Sequence, residues 1–446
     1  MKSLICFICW VFKRLRAVQN RLLWRCWTVN TSKTSDGLLL PFEVCKLQDF
    51  DVFKSLNGRL PINERPLPDE LFTSWFHRLA WLNGIKSHRL TKKFWHHPGT
   101  PWGGDGDLRV AEVDLLRMAD IGRVPYQLIW QTSLRSYEGI IYQNTADNPA
   151  GIRPLGGRGK QRTAHGIAFC PECLAGDQMP YFRRRWRVSY VVACMEHRRL
   201  LLDACPGCAS SIMVISADEG AKSFPRYPHW TRCIRCGYDW RREGDLAESI
   251  SLSDSFWQLQ SQIHGAITHS WTIGPDGSEI MSLGYFQGLR YLLRALIGYQ
   301  SHIKIREIVA PHFGELALPP QRSQRSSFDL LRQCDRVFLM RYLAWLLEEW
   351  PDQYIAAAIG AKLRPSYLDM YRGDIPFWLS KAFDACRSHP HYPTSNEEWE
   401  SARLYLQRRG MEGNNFQVSK LVGRYWTVRR SSGTRDAAND YKLSSM

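Results

Sequence analysis

Apolar residues recur at helical spacing in two blocks of the chain, one before and one after a cysteine-rich stretch. In the first block they predict a helix that Asp69 can cap and that Asn83-Gly84 ends, because Asn and Gly tolerate the left-handed conformation. The apolar stripe consists of Leu71, Phe72, Trp75, Phe76, Leu79, Ala80 and Leu82. A second short helix is predicted from Ser87 through Phe94. This order is compatible with a helix-turn-helix, and it fits any helical hairpin equally well.

The same periodicity predicts further helices on both sides of the cysteine-rich stretch. They are expected at residues 111–118, 125–136, 253–269, 280–298, 327–349, 353–362 and 376–387. Residues 352–360, a turn and residues 365–371 form a second helix-turn-helix candidate.

The cysteine-rich stretch contains four ligand pairs, each separated by two residues. They are Cys170 and Cys173, Cys194 and His197, Cys205 and Cys208, and Cys233 and Cys236. Zinc is held by four tetrahedral nitrogen or sulfur ligands, and each pair supplies two of them from one tight turn. The eight residues therefore predict two structural Zn²⁺ sites, since four protein ligands leave no coordination position open for catalysis. Sequential pairing is the simplest assignment, and an interleaved pairing stays open.

These patterns predict a mainly α-helical protein with a tandem zinc-ribbon-like middle domain. An N-terminal helix-turn-helix domain covers residues 59–150, a basic linker 151–165, the zinc-binding domain 166–245 and a helical domain with the second helix-turn-helix 250–400. A basic tail covers residues 401–446. Residues 1–58 are interpreted as an extension that is either poorly ordered or upstream of the true translation start.

The chain is basic, with 59 Lys and Arg against 43 Asp and Glu and a formal net charge of +16. Such an excess favours a polyanionic partner. One candidate contact is a glycine-rich strip without acidic residues, which reads equally well as a solvated linker. It contains Arg158, Lys160 and Arg162. A second candidate interleaves basic and aromatic residues, where the alternative is solvated arginines around core aromatics. Its arginines are Arg183, Arg184, Arg185 and Arg187.

Several function classes lack their sequence signatures. No phosphate-binding glycine loop, H-E-x-x-H or G-x-S-x-G motif occurs, and no carboxylate trio suggests a metal-dependent nuclease, so a non-enzymatic protein is expected. The longest apolar run, from Leu4 to Phe12, is far shorter than the roughly 20 residues of a membrane span and is not followed by a signal-peptide cleavage site. The protein is therefore expected in the cytoplasm.

The motifs together resemble the TniQ family, whose members serve target selection in Tn7-like or Tn5053-like transposons. The resemblance spans about residues 60–400 and is strongest in two stretches around the first helix and the cysteines. The first is Asp69-Glu70-Leu71-x-x-Ser74-Trp75-Phe76-x-Arg78-Leu79-Ala80; the second comprises Phe169-Cys170-Pro171-Glu172-Cys173, Tyr181-Phe182-Arg183-x-x-Trp186-Arg187, Cys194-x-x-His197 and Cys205-Pro206-x-Cys208. Met195 stands where the family often has proline, and Arg198 and Ala209 where it often has glycine.

The resemblance implies a non-enzymatic adaptor in the bacterial cytoplasm, associated with the nucleoid. It would link target DNA, or a target-bound complex, to an AAA+ ATPase regulator that recruits the transposase. Some members read an attachment site directly, whereas others associate with a CRISPR effector complex, often as a homodimer, and both modes stay open here. The alternatives are a zinc-containing helix-turn-helix transcription regulator and a zinc-dependent nucleic-acid enzyme.

Overall fold

The structure is a computed structural model. It describes residues 58–95, 104–144, 149–155, 165–214, 229–242, 252–297, 303–314, 327–361, 375–386 and 396–422. The chain divides into two compact units, Met1–Pro61 and Ile62–Met446. Nearly all of the predicted extension 1–58 and most of the predicted linker 151–165 lie outside the described residues. The predicted domain boundaries stay predictions.

The described part of the second unit is mainly helical, as predicted. Its N-terminal elements are α1 (Phe72–Leu82), α2 (Ser87–Phe94), α3 (Glu112–Gly122), α4 (Tyr126–Trp130) and a 3₁₀ helix at Leu134–Tyr137. The apolar stripe of α1 is buried except for Leu82, which is half-buried, and Phe76 packs edge-on against Phe94 of α2 with ring centroids 5.9 Å apart. The predicted α2 is found at its expected bounds, and whether the pair acts as a helix-turn-helix stays a prediction.

The expected cap of α1 is wrong. Asp69 adopts a left-handed backbone (φ 55°) three residues before the helix, and its carboxylate faces away to bind arginines. The first amides of α1 are satisfied from other segments instead: Phe72 N–H donates to the Thr132 carbonyl and Thr73 N–H to Asp107 Oδ1 at 2.8 Å. A carboxylate from a distant loop therefore does the capping, which local sequence does not reveal.

The middle of the unit is built from short elements. Helix α5 covers Pro171–Gly176, a 3₁₀ helix covers Arg184–Arg187, and another covers His229–Thr231. Strands β1 (Ala193–Cys194) and β2 (Arg199–Leu200) form an antiparallel hairpin in which Cys194 lies opposite Arg199.

The C-terminal block is helical with one hairpin that the helical periodicity does not predict. The block contains α6 (Asp254–His269), β3 (Trp271–Ile273), β4 (Glu279–Met281), α7 (Ser282–Ile297), α8 (Ile303–Val309), α9 (Gln333–Glu348), α10 (Asp352–Gly360), α11 (Phe377–Cys386), α12 (Asn396–Arg408) and α13 (Asn415–Val422). Strands β3 and β4 are antiparallel and are joined through Gly277, whose φ of +79° suits the turn. The Asp276-Gly277 pair is the sequence signal for this hairpin.

Other predicted elements differ in extent. The expected helix 327–349 begins with a 3₁₀ turn at Phe328–Leu330, and α9 starts only at Gln333. The predicted basic tail contains most of α12 and all of α13, which pack together through Trp399, Leu406 and Val418. The second half of the second helix-turn-helix candidate lies outside the described residues. No helix in the described ranges has the length and apolar character needed to cross a membrane.

Two glutamines join the C-terminal helices to the cysteine-rich segment. Gln260 of α6 accepts from the Val192 amide at 3.0 Å and donates to the Tyr190 carbonyl at 3.1 Å. Gln333 of α9 donates to the Val192 carbonyl at 2.7 Å. Both glutamines are buried, so these bonds hold the strand that leads into Cys194.

Candidate metal centres

The first cluster joins a helix start to a hairpin turn. Cys170 and Cys173 stand at the beginning of α5, and Cys194 and His197 stand at the β1–β2 turn. Their four ligand atoms lie within 4.8 Å of one another. His197 Nδ1 is 3.6 Å from Cys170 Sγ, 3.3 Å from Cys173 Sγ and 3.5 Å from Cys194 Sγ. An ion pair of 2.7 Å between Glu172 and Arg199 ties the two halves together.

The second cluster is built from two matching turns. Cys205 and Cys233 each accept a hydrogen bond at 2.8 Å from the amide four residues later, that of Ala209 or Gly237. Each also donates its own amide to the carbonyl five residues later, that of Ser210 or Tyr238. The four sulfur atoms lie within 4.8 Å of one another, and the Sγ atoms of Cys205 and Cys236, and of Cys208 and Cys233, are 3.6 Å apart.

These distances fit a tetrahedral metal ion. Metal–sulfur bonds of about 2.3 Å and a metal–nitrogen bond of about 2.05 Å, as in zinc sites, place ligand atoms roughly 3.5–3.8 Å apart. The measured separations of 3.3–3.6 Å are near this range, and the cysteines are free thiols in the structure. The eight residues are grouped sequentially rather than interleaved. Each cluster could therefore hold one metal ion.

The residue after each of three ligand pairs has a left-handed backbone. Arg198 follows His197 with φ 45°, Ala209 follows Cys208 with φ 54°, and Gly237 follows Cys236 with φ 74°. This conformation costs a residue with a Cβ about 1–2 kcal/mol, and glycine adopts it freely. All three turns therefore require the left-handed conformation, and of the three residues only Gly237 adopts it without strain.

The two clusters differ in burial although they share a core. All three cysteines of the first cluster are buried, whereas Cys208 and Cys236 of the second are exposed. Between the clusters, Trp240 is buried with its ring centroid 5.6 Å from that of Phe169. A metal ion in the second cluster is consequently the more accessible of the two.

The predicted arginine stretch 183–187 is engaged by aspartates. Arg183 donates to both carboxylate oxygens of Asp177, at 2.7 and 2.8 Å. Arg184 and Arg185 share Asp69, at 3.3 and 2.5 Å. The side chains of these three arginines keep between 12% and 33% of their surface exposed, and their contact with nucleic acid stays a prediction.

Arg187 requires a correction, because its side chain is fully buried. It donates to Asp107 at 2.7 Å and also binds Asp105, so no part of it reaches a phosphate outside the protein. Sequence spacing did not identify these acidic partners, which lie about 80 residues earlier. The other predicted contacts, Arg158, Lys160 and Arg162, lie outside the described residues.

Positive charge is less compensated on two other elements. Helix α2 contains no acidic residue and exposes His88, Arg89 and Lys92. The second metal cluster carries exposed arginines at 232, 235 and 242. Sequence reasoning missed both groups, although Arg235 stands between the ligands Cys233 and Cys236.

Part of the chain matches a known protein family. Residues 61–201 match the family model TniQ. The match contains α1, the arginine stretch and the complete first metal cluster, and ends before the second cluster. A search of curated proteins found no match for the chain.

Proposed function

Since this chain is a TniQ-family protein by its domain at residues 61–201, we propose that it selects the target site of a transposon. In this function it connects target DNA, or a complex already bound to the target, to an AAA+ ATPase regulator and the transposase. The general assignment to transposition target selection follows from the TniQ domain, and the partners belong to the proposal. A CRISPR effector complex and a second copy of the chain are further candidate partners.

The observation that carries the proposal is the TniQ match together with two closed metal clusters. A TniQ domain is a non-catalytic accessory domain of transposition. Four protein ligands per cluster fill a tetrahedral ion, which leaves no position for a substrate or an activated water. The proposed ion is Zn²⁺ in both clusters, because three or four thiolates in a tetrahedral arrangement favour it.

Direct contact with DNA is supported by helix α2. Arg89 and Lys92 are exposed on this helix, and no ion pair engages them among the described residues. The preceding helix α1 is fixed through its buried stripe, so α2 presents these charges from a rigid support. This arrangement suits phosphate contact by a helix of a bacterial, nucleoid-associated protein.

The decisive experiment is a transposition assay in bacterial cells. The chain is expressed with the AAA+ regulator and the transposase of its element, and insertion sites are mapped by sequencing. We expect insertions to cluster at one site or one sequence class only when the chain is present. Random insertion with and without the chain would refute the proposal, and altered transcript levels without altered insertion would support the transcription-regulator alternative.

A further inference from the structure

A groove lies beside the second metal cluster, formed by its two ligand turns. It has a volume of about 340 Å³ and is lined by Gly207, Arg232, Cys236, Gly237, Tyr238, Asp239 and Arg242. Tyr238 packs so closely on Gly207 that a Cβ there would stand 3.0 Å from the ring. Gly207 is therefore covered by Tyr238, whereas the space beside Gly237 is open, with no atom within 4 Å of the position of a Cβ.

In the described segment 229–242 that forms most of the groove, guanidinium groups outnumber carboxylates. Residues 229–242 contain four arginines and one acidic residue, Asp239. Arg241 takes both oxygens of Asp239, at 2.9 and 2.6 Å, while Arg232 reaches it only at 3.5 Å and keeps 51% of its side chain exposed. Arg235 and Arg242 are exposed and have no ion pair among the described residues.

The charge of a bound metal does not cancel this excess. Four thiolates and one divalent ion carry a net charge of −2. The four arginines less Asp239 carry +3, so the sum over residues 229–242, the thiolates of Cys205 and Cys208 and the ion is +1. In the arginine stretch 183–187, by contrast, all four guanidinium groups are engaged by aspartates.

We propose that this groove binds a phosphate of the DNA backbone, with Arg242, which lines it, as the principal donor. Arg235 does not line the groove, but it is exposed one residue before the lining Cys236 and is the proposed second donor. Guanidinium groups match phosphate oxygens through paired N–H donors, and the open space at Gly237 permits close approach. The contact is independent of base sequence and fixes the position of the chain on the duplex. This phosphate site rests on the proposed function, because that function makes DNA the ligand.

The test uses the full-length, zinc-loaded chain and fluorescence anisotropy on a labelled duplex at several salt concentrations. The groove variant is Arg235→Glu/Arg242→Glu. The control is Arg117→Glu/Arg408→Glu, which makes the same charge change on α3 and α12, at arginines without an ion pair among the described residues. Zinc content and thermal melting establish that both variants are folded.

We expect the groove variant to bind at least roughly tenfold more weakly and to lower the salt slope by about 1, since the loss of one phosphate contact removes about 0.9. The control should keep the wild-type slope. An unchanged salt slope in the groove variant, or an equal loss of affinity in the control, would refute phosphate binding in the groove. Neither result would refute the proposed role in target selection. If the wild-type chain binds no duplex at low salt, both direct DNA binding and the phosphate site in the groove are refuted. Loss of AAA+ ATPase capture with unchanged DNA binding would assign the groove to a protein and overturn the phosphate site.

Discussion

Ser74 and Phe182, 108 residues apart in the sequence, are joined by a hydrogen bond of 2.9 Å from the Phe182 amide to the Ser74 hydroxyl. Beside it, the Leu71 amide donates to the Phe182 carbonyl at 2.8 Å. The two motif stretches that carry the family resemblance are therefore one structural unit. Asp69 strengthens the same junction by binding Arg184 and Arg185.

Ser74→Ala is expected to lower the free energy of unfolding by about 1–3 kcal/mol, because the buried Phe182 amide loses its acceptor. Urea denaturation of the zinc-loaded chain measures the change. Ser278→Ala, at the exposed β3–β4 turn, should change it by less than about 0.5 kcal/mol. Equal effects of the two substitutions would contradict a structural role for the junction.

Asp107→Ala should destabilise the chain by roughly 3–5 kcal/mol, since it leaves the buried Arg187 charge with less compensation. It also removes the acceptor of the Thr73 amide at the start of α1. The comparison is Arg241→Ala, which breaks a half-exposed pair with Asp239 and should cost about 1 kcal/mol or less.

A double-mutant cycle isolates the buried pair. Asp107→Leu combined with Arg187→Met should cost less than the sum of the single substitutions, because both fully buried charges are removed together and only Asp105, which is 12% exposed, loses its partner. Strict additivity in chemical denaturation would show that the two side chains do not depend on one another.

The second metal cluster should lose its ion first. Cys208 and Cys236 are exposed, whereas the cysteines of the first cluster are buried, so a chelator reaches the second ion more easily. We expect zinc release to a chromophoric chelator in two phases, one equivalent each. Cys208→Ser should abolish the fast phase and Cys170→Ser the slow one. A single phase for both ions in the wild-type chain would refute this order.

Ala209→Gly is expected to stabilise the chain by roughly 0.5–1 kcal/mol, because Ala209 has a φ of 54° where glycine is unstrained. Gly237→Ala, at the matching turn with φ 74°, should destabilise it by about 1 kcal/mol. Thermal melting of the zinc-loaded proteins shows whether each substitution raises or lowers the stability. Stabilisation by Gly237→Ala would show that the two turns are not equivalent.

The features predictable from sequence are those that depend on nearby residues. The bounds of α2 follow from local periodicity, and α6 begins one residue after Ser253, whose hydroxyl caps it. The ligand pairs are visible because a metal requires two ligands from one turn, and neighbouring pairs then meet with little loop closure.

Features that join distant residues were not predictable. Nothing in the stretch 183–187 reveals that Arg187 will be buried against Asp107, because the pairing depends on how α1 packs on the metal segment. Asp69 was misread as a helix cap for the same reason: its partner arginines lie about 115 residues later. Charged residues of one sign in a row therefore indicate an interface only after their partners have been located.

The bonds made by Gln260 and Gln333 limit how this protein can be divided. The segment that matches the family ends at residue 201, yet the amide and the carbonyl of Val192 within it are both satisfied by helices that begin more than 50 residues later. A fragment cut at that boundary would leave the Val192 amide without its acceptor two residues from Cys194, whereas the Val192 carbonyl would keep its hydrogen bond from the Leu201 amide. The family segment is thus a unit of sequence similarity and not a unit of folding, because the backbone just before the ligand Cys194 is held in place by hydrogen bonds from α6 and α9.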